Sequence, residues 1–240
     1  MSLYLNMKYV NLFILFLTLG ILLCACASTS DDSQPETFAV DKNARHIVIG
    51  EIDMQLERTL NIGSLRKVTV PVLYFPGDDA VCIRFRADDF LTYEQFWSFD
   101  GRGLFIDALK KYNEDYSERN LLTNKSRQTK RIYGKAEGYL MWAMGAAFTQ
   151  ARANVNLELG YNFKDRFPYF TINQREATYE DPVSKNDNRT SKTITLYFTR
   201  AQAAKLEELF DNEFLREISL PSSPNRLPPV EIIDIDRDEY

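Results

Sequence analysis

The sequence predicts an α+β fold: a mainly antiparallel, twisted sheet of six or seven strands with two or three helices packed on one face, in a single domain. Three observations carry that expectation. Between residues 132 and 174, three long segments follow one another with apolar residues on one parity and polar residues on the other, as a sheet buried on one side requires. Two further segments repeat apolar residues at helical spacing. The chain past residue 43 is long enough for one domain of ordinary size and short of two. With 45% hydrophobic and 13% aromatic residues it can also build a core, which argues against global disorder.

In chain order, the first element is an apolar run from Val10 to Leu23, preceded by the single basic residue Lys8. Its length suits a signal peptide and falls short of the ~20 residues of a spanning helix. The run ends in Leu23-Cys24-Ala25-Cys26, which resembles the lipobox of bacterial lipoprotein signal peptides. In that family a small residue precedes a cysteine that is lipidated and becomes the mature N-terminus. Ala25 fits the small position and Leu23 does not, so the resemblance implies a signal peptide over 1–25 and lipidation of Cys26, with acyl chains such as palmitate. It further implies a protein anchored in a lipid bilayer of the cell envelope. Ala27 stands where an aspartate would favour inner-membrane retention, so by the same resemblance the expected destination is the outer membrane. The resemblance covers the first 26 residues and implies nothing about what the domain does. Met7-Lys8-Tyr9 reads more like a natural signal start than Met1 does, which makes the first six residues an expected upstream artefact, although the sequence does not decide between Met1 and Met7.

Residues 26–43 are polar and without period, the composition of a flexible tether, and the α+β domain is expected over 44–220. Ile47–Ile49 reads as a strand, and the segment to Ile62 has mixed periodicity. Lys67–Phe75 and Val81–Arg86 alternate at period two around Pro76-Gly77-Asp78-Asp79, a hairpin whose Pro71 suggests an edge or bulge. Thr92-Tyr93-Glu94-Gln95 matches a capping box, predicting a short helix through Phe99 that Asp100-Gly101-Arg102-Gly103 would break. Leu104, Phe105, Ala108, Leu109, Tyr112 and Tyr116 form one stripe of a helix running to about Arg119. After a basic loop come the three long strands, a polar loop over 180–191, and a strand at Thr193–Phe198. A second capping box, Thr199 to Gln202, opens a helix with Ala203, Leu206, Leu209 and Phe210 inward. Residues 221–240 are Pro-rich and then acidic, and read as a tail.

Charge and residue types narrow the chemistry. The 29 basic residues less Lys8 leave 28 against 34 acidic ones, a balance that argues against nucleic acid as partner. With Cys24 removed and Cys26 acylated, Cys82 is the one remaining thiol, so no intramolecular disulfide is expected; its alternating surroundings make it a packing residue rather than a nucleophile. His46 is the only histidine, which excludes multi-histidine metal sites. No cofactor, metal site or catalytic residue is assigned.

The candidate ligand-binding residues are two aromatics, Tyr93 and Trp97, then Arg102 at a helix start, and the basic loop of Lys125, Arg127, Lys130 and Arg131. For the aromatics the ordinary alternative is core, and for the loop a solvated surface. The function expected is a membrane-anchored, non-enzymatic binding or scaffolding module for an envelope protein or an apolar ligand. The alternative is a cell-envelope hydrolase working through carboxylates, with Asp88, Asp89 or Asp100 as candidates.

Overall fold

Eight strands pair in sequence order and the last returns to the first: β1 (Ile47–Glu57), β2 (Leu65–Phe75), β3 (Ala80–Arg86), β4 (Leu91–Trp97), β5 (Ile132–Met144), β6 (Ala151–Lys164), β7 (Phe167–Gln174) and β8 (Ile194–Phe198). Every pairing is antiparallel, and the seam is made by Gln55 opposite Tyr197 and Leu56 opposite Leu196. The computed structural model describes residues 40–41, 44–57, 64–123, 131–144, 150–179 and 189–219. By contacts the chain divides into Met1–Thr37 and Phe38–Tyr240, and all eight strands belong to the second unit.

The expected open sheet of six or seven strands with helices on one face is therefore incorrect: the sheet is a closed barrel, and the helices stand at one mouth of it. The physical source of the error is β4. The Thr92 capping-box match lies inside a strand, where Leu91, Tyr93, Gln95 and Trp97 face inward and Thr92 and Glu94 outward. Pairing with both β3 and β5 overrides the local helix signal. The helix start lies six residues further on, where Ser98 accepts a hydrogen bond from the Gly101 N–H, so residues 100–103 begin the helix instead of breaking one.

Helix α1 (Phe99–Ser117) leaves β4, and α2 (Arg200–Phe210) leaves β8; strands of even number run the same way, so both helices sit at the same end. The Thr199 box forms in full, with Thr199 Oγ1 accepting from the Gln202 N–H and Gln202 Oε1 from the Thr199 N–H. A short α3 (Asn212–Ser219) comes next, unanticipated from the sequence. Phe105 of α1 makes edge contacts with Trp97, Phe170 and Phe210, and Tyr112 packs on Phe170, so the helical stripe closes the mouth with aromatic rings.

An eight-stranded barrel is just wide enough for its side chains to fill. Here alternate residues of all eight strands meet in one apolar cluster with the helix stripes. A polar chain crosses it: Trp97 Nε1 donates to Gln95 Oε1 (3.1 Å), Gln95 Nε2 to Gln174 Oε1 (3.1 Å), and Gln174 Nε2 to the Lys192 carbonyl (3.4 Å). Since β4 and β7 are three strands apart, this bond spans the interior and satisfies groups that would be costly to bury unpaired.

The outer wall has two characters. Over β2–β5, Leu73, Phe75, Cys82, Phe96, Tyr139 and Met141 form a second buried cluster, joined by Val40 (5% exposed) and Ala44. Val40 thus packs on the barrel although it falls within the segment read as tether. Elsewhere the wall is charged, with Glu51, Asp53, Glu57, Lys67, Lys135 and Arg152 outward. Among the described residues no helix is long and apolar enough to cross a membrane.

Tyr133 donates to Asp115 Oδ2 (2.7 Å), and its phenol is pushed far up by burial and by that carboxylate. Burial likewise raises Tyr74, Tyr93 and Tyr197. Burial acts against the Lys164 ammonium, but the Glu57 carboxylate and Tyr197 outweigh it and its pKa is raised. All five groups hold their protons more tightly folded than unfolded, so their contributions are intact below the unfolded values near about 10 and are lost as pH rises from there through the higher folded values. Urea midpoints should accordingly fall as pH increases above about 10, and Tyr133→Phe should show a shallower fall than the parent protein.

Candidate functional site

A concave feature of the wall lies across β5–β8, an open groove of about 400 Å³. Its floor is set by register. Lys135 of β5 stands opposite Glu158 of β6, Glu158 opposite Asn173 of β7, and Asn173 opposite Thr195 of β8, so four polar side chains form one row across four strands. Thr195 Oγ1 donates to Asn173 Oδ1 (3.2 Å), and Asn173 Nδ2 donates to Glu158 Oε2 (3.2 Å). Arg175 Nη2 pairs with the same carboxylate at 2.7 Å and Lys135 Nζ reaches it at 3.6 Å. The one carboxylate of the lining thus has three partners, two of them on Oε2.

In the next row, Gly160 faces outward beside Thr171 and contributes no side chain, which opens the wall. A Cβ there would lie 2.0 Å from the Arg131 carbonyl oxygen, a separation no side chain tolerates. Glycine lets the start of β5 cross close over β6, and that crossing sets Arg131 at the groove's edge.

Arg131 is 6% exposed. Its Nη2 donates to the Thr123 carbonyl (2.6 Å), its Nη1 to Asn162 Oδ1 (3.3 Å), and its guanidinium lies 5.9 Å from the Tyr161 ring centroid. Every one of these partners is neutral, and its Nε is buried with no acceptor among the described residues. A buried guanidinium without a carboxylate is expensive to keep dry.

Arg102, expected to bind a ligand, lies buried among protein partners. At 1% exposure it donates to the Asp79 carbonyl (2.7 Å), Asp79 Oδ1 (2.9 Å) and Asn212 Oδ1 (2.9 Å), clamping the β2–β3 turn and α3 to α1. Tyr93 is inside the barrel, its hydroxyl accepting from the Lys192 N–H (3.2 Å), and Trp97 is fully buried between Phe105 and Phe210. Of the expected ligand residues, Arg131 alone lines the groove; Lys125, Arg127 and Lys130, with Cys26, lie outside the described residues. The groove residues that sequence reasoning missed are Glu158, Asn162, Thr171, Asn173, Arg175 and Thr195. The one signal for them was the polar parity of the 151–163 strand; its concavity, which depends on Gly160, has no sequence pattern of its own.

The three candidate carboxylates do not meet. Asp88 Oδ1 accepts the Phe90 and Leu91 N–H groups (3.0 and 2.8 Å) in the β3–β4 turn, with Asp89 beside it. Asp100 is in the first turn of α1, beyond the seven-residue β4, roughly 20 Å of strand away. Among the described residues no group of three or more His, Cys, Asp or Glu could hold a metal ion. The Cys82 thiol is buried in the outer-wall cluster, and burial pushes its pKa well up.

A family model described as "Uncharacterised Treponema protein" matches residues 27–217. No curated protein and no solved structure matches the chain.

Gly160→Ala should cost at least about 2 kcal/mol in urea denaturation, because the colliding atom is backbone and cannot rotate away. Gly103→Ala, inside α1 where a Cβ meets open space, should instead stabilise by about 0.5–1 kcal/mol.

Proposed function

We propose that this chain, which belongs to the uncharacterised Treponema protein family, is a lipid-anchored cell-envelope protein whose barrel is a non-enzymatic binding module, with the β5–β8 groove as its ligand site. The observation that carries the reading is the groove itself, in which a nearly buried Arg131, Glu158 and Thr171 line about 400 Å³ of open space. That volume lies within the usual range of small-molecule sites.

Two features favour binding at the wall over binding in the lumen. Inward positions of the strands are taken up by packed side chains, and the Gln95–Gln174 bridge crosses the space an apolar ligand would need. The wall in turn offers converging polar groups. A binding role is preferred to hydrolysis because Glu158 is committed to Arg175, Asn173 and Lys135, which leaves it poorly placed to move a proton.

The anchor rests on the Leu23-Cys24-Ala25-Cys26 segment, and the family match starts at Ala27, one residue past the proposed lipidation site. The charged wall agrees with a body held beside a bilayer rather than within it, since a membrane barrel turns apolar residues outward. On the lipobox resemblance the bilayer is the outer membrane.

Mass spectrometry of the protein isolated from membranes should find an N-terminal Cys26 carrying acyl chains; an unmodified sulfur would sink the anchor. Native mass spectrometry of the same full chain, incubated with a small-molecule envelope extract, should retain a ligand that is released unaltered. Retention should drop at least about tenfold in Asn173→Ala. Release of a chemically changed product would overturn the non-enzymatic role.

A further inference from the structure

We infer that the groove takes the oxyanion group of a small polar ligand, whose negative charge completes Arg131. The inference rests on the reading of the groove as the ligand site and adds the chemistry of what enters it.

Two buried arginines differ in what surrounds them. Arg102 is buried and pairs with the half-exposed Asp79 carboxylate at 2.9 Å. Arg131, also buried, donates to a carbonyl and an amide oxygen, lies over an aromatic ring and pairs with no acid among the described residues. Buried charge is ordinarily paired, and an arginine left without a carboxylate at the rim of an open groove is a place where the missing anion can come from outside.

Hydrogen-bonding capacity points the same way. The carboxylate and amide acceptors of the groove are already engaged: Glu158 by Arg175, Asn173 and Lys135, Asn162 Oδ1 by Arg131, and Asn173 Oδ1 by Thr195. Donors are in excess. Arg175 uses one nitrogen on Glu158 and its side chain is 53% exposed, which leaves the rest of its planar fork facing solvent. In the lining, Arg131 and Arg175 outnumber Glu158 two to one in charge, and Lys135 adds a third cation beside Glu158. A ligand that brings acceptors and negative charge fits this surplus; a cation or a donor-rich ligand does not. Carboxylates and phosphates both satisfy a guanidinium, and the size of the groove limits the ligand to about the scale of a monosaccharide.

The test uses NMR of the full chain in detergent, reading the amides of Gly160, Asn162, Thr171 and Asn173 during titration with D-glucuronate, D-glucose or inorganic phosphate. At about 10 mM, enough to fill a millimolar site, glucuronate or phosphate should shift these amides and glucose should not. A response to glucuronate alone identifies a carboxylate as the source of the oxyanion, and a response to phosphate alone a phosphoryl group. Arg131→Gln should weaken the responding anion at least about tenfold, with partial recovery in Arg131→Lys. Because Arg131 also supports the start of β5, Arg175→Gln at a half-exposed position provides a second variant and should weaken binding without unfolding. Equal responses to glucose and glucuronate would keep the groove as a site and overturn its charge preference. Silence from both anions, or anion affinity unchanged in Arg175→Gln and Arg131→Gln, would overturn the inference.

Discussion

Closure of β8 onto β1 is the constraint on which the remaining architecture depends. The seam is made by Gln55 and Leu56 opposite Tyr197 and Leu196, with the Lys164–Glu57 ion pair and the Lys164 ammonium over the Tyr197 ring beside it. Closure removes the exposed strand edges that an open sheet would present. It also divides every strand's two faces into lumen and wall, so side chains alternate between a filled interior and an outer surface. Antiparallel neighbours can close only when the strand number is even, and eight satisfies that rule.

That parity explains both what the sequence made legible and what it concealed. The three long strands between 132 and 174, the hairpin of β2 and β3, the Thr199 capping box and the apolar stripes of α1 and α2 all obey local rules and stand where alternation and spacing place them, except that Leu104 of the α1 stripe is 43% exposed. The segment 91–97 does not obey its local rule, because Thr92 to Gln95 satisfies a cap while Leu91, Tyr93, Gln95 and Trp97 satisfy a strand. Reading it as helix leaves seven strands, an odd number that cannot close, and the helices then require a sheet face to lie on. An open sheet and a barrel share the same one-sided alternation, so only the count of strands separates them in sequence.

The site shows a similar division. Outward polarity on β6 is readable from the alternation of Asn and Glu with apolar residues. The row formed by Lys135, Glu158, Asn173 and Thr195 is not, because it joins four strands separated in sequence by up to 60 residues and exists only once register is set. Arginine by itself is equally ambiguous. Arg102 and Arg131 both begin structural segments and both are buried, yet one is neutralised by Asp79 and the other faces neutral partners. Burial and pairing, which distinguish a clamp from a receptor for charge, are tertiary properties.

Cys82 gives this wall a built-in reporter. Its thiol is enclosed by the cluster over β2–β5 and withheld from ionisation, so an alkylating reagent can reach it only when that arc of the cylinder parts locally. The rate of labelling in the native state is therefore a chemical clock for the breathing of one side of the molecule, reading the side opposite β6 and β7 independently of whatever occupies them.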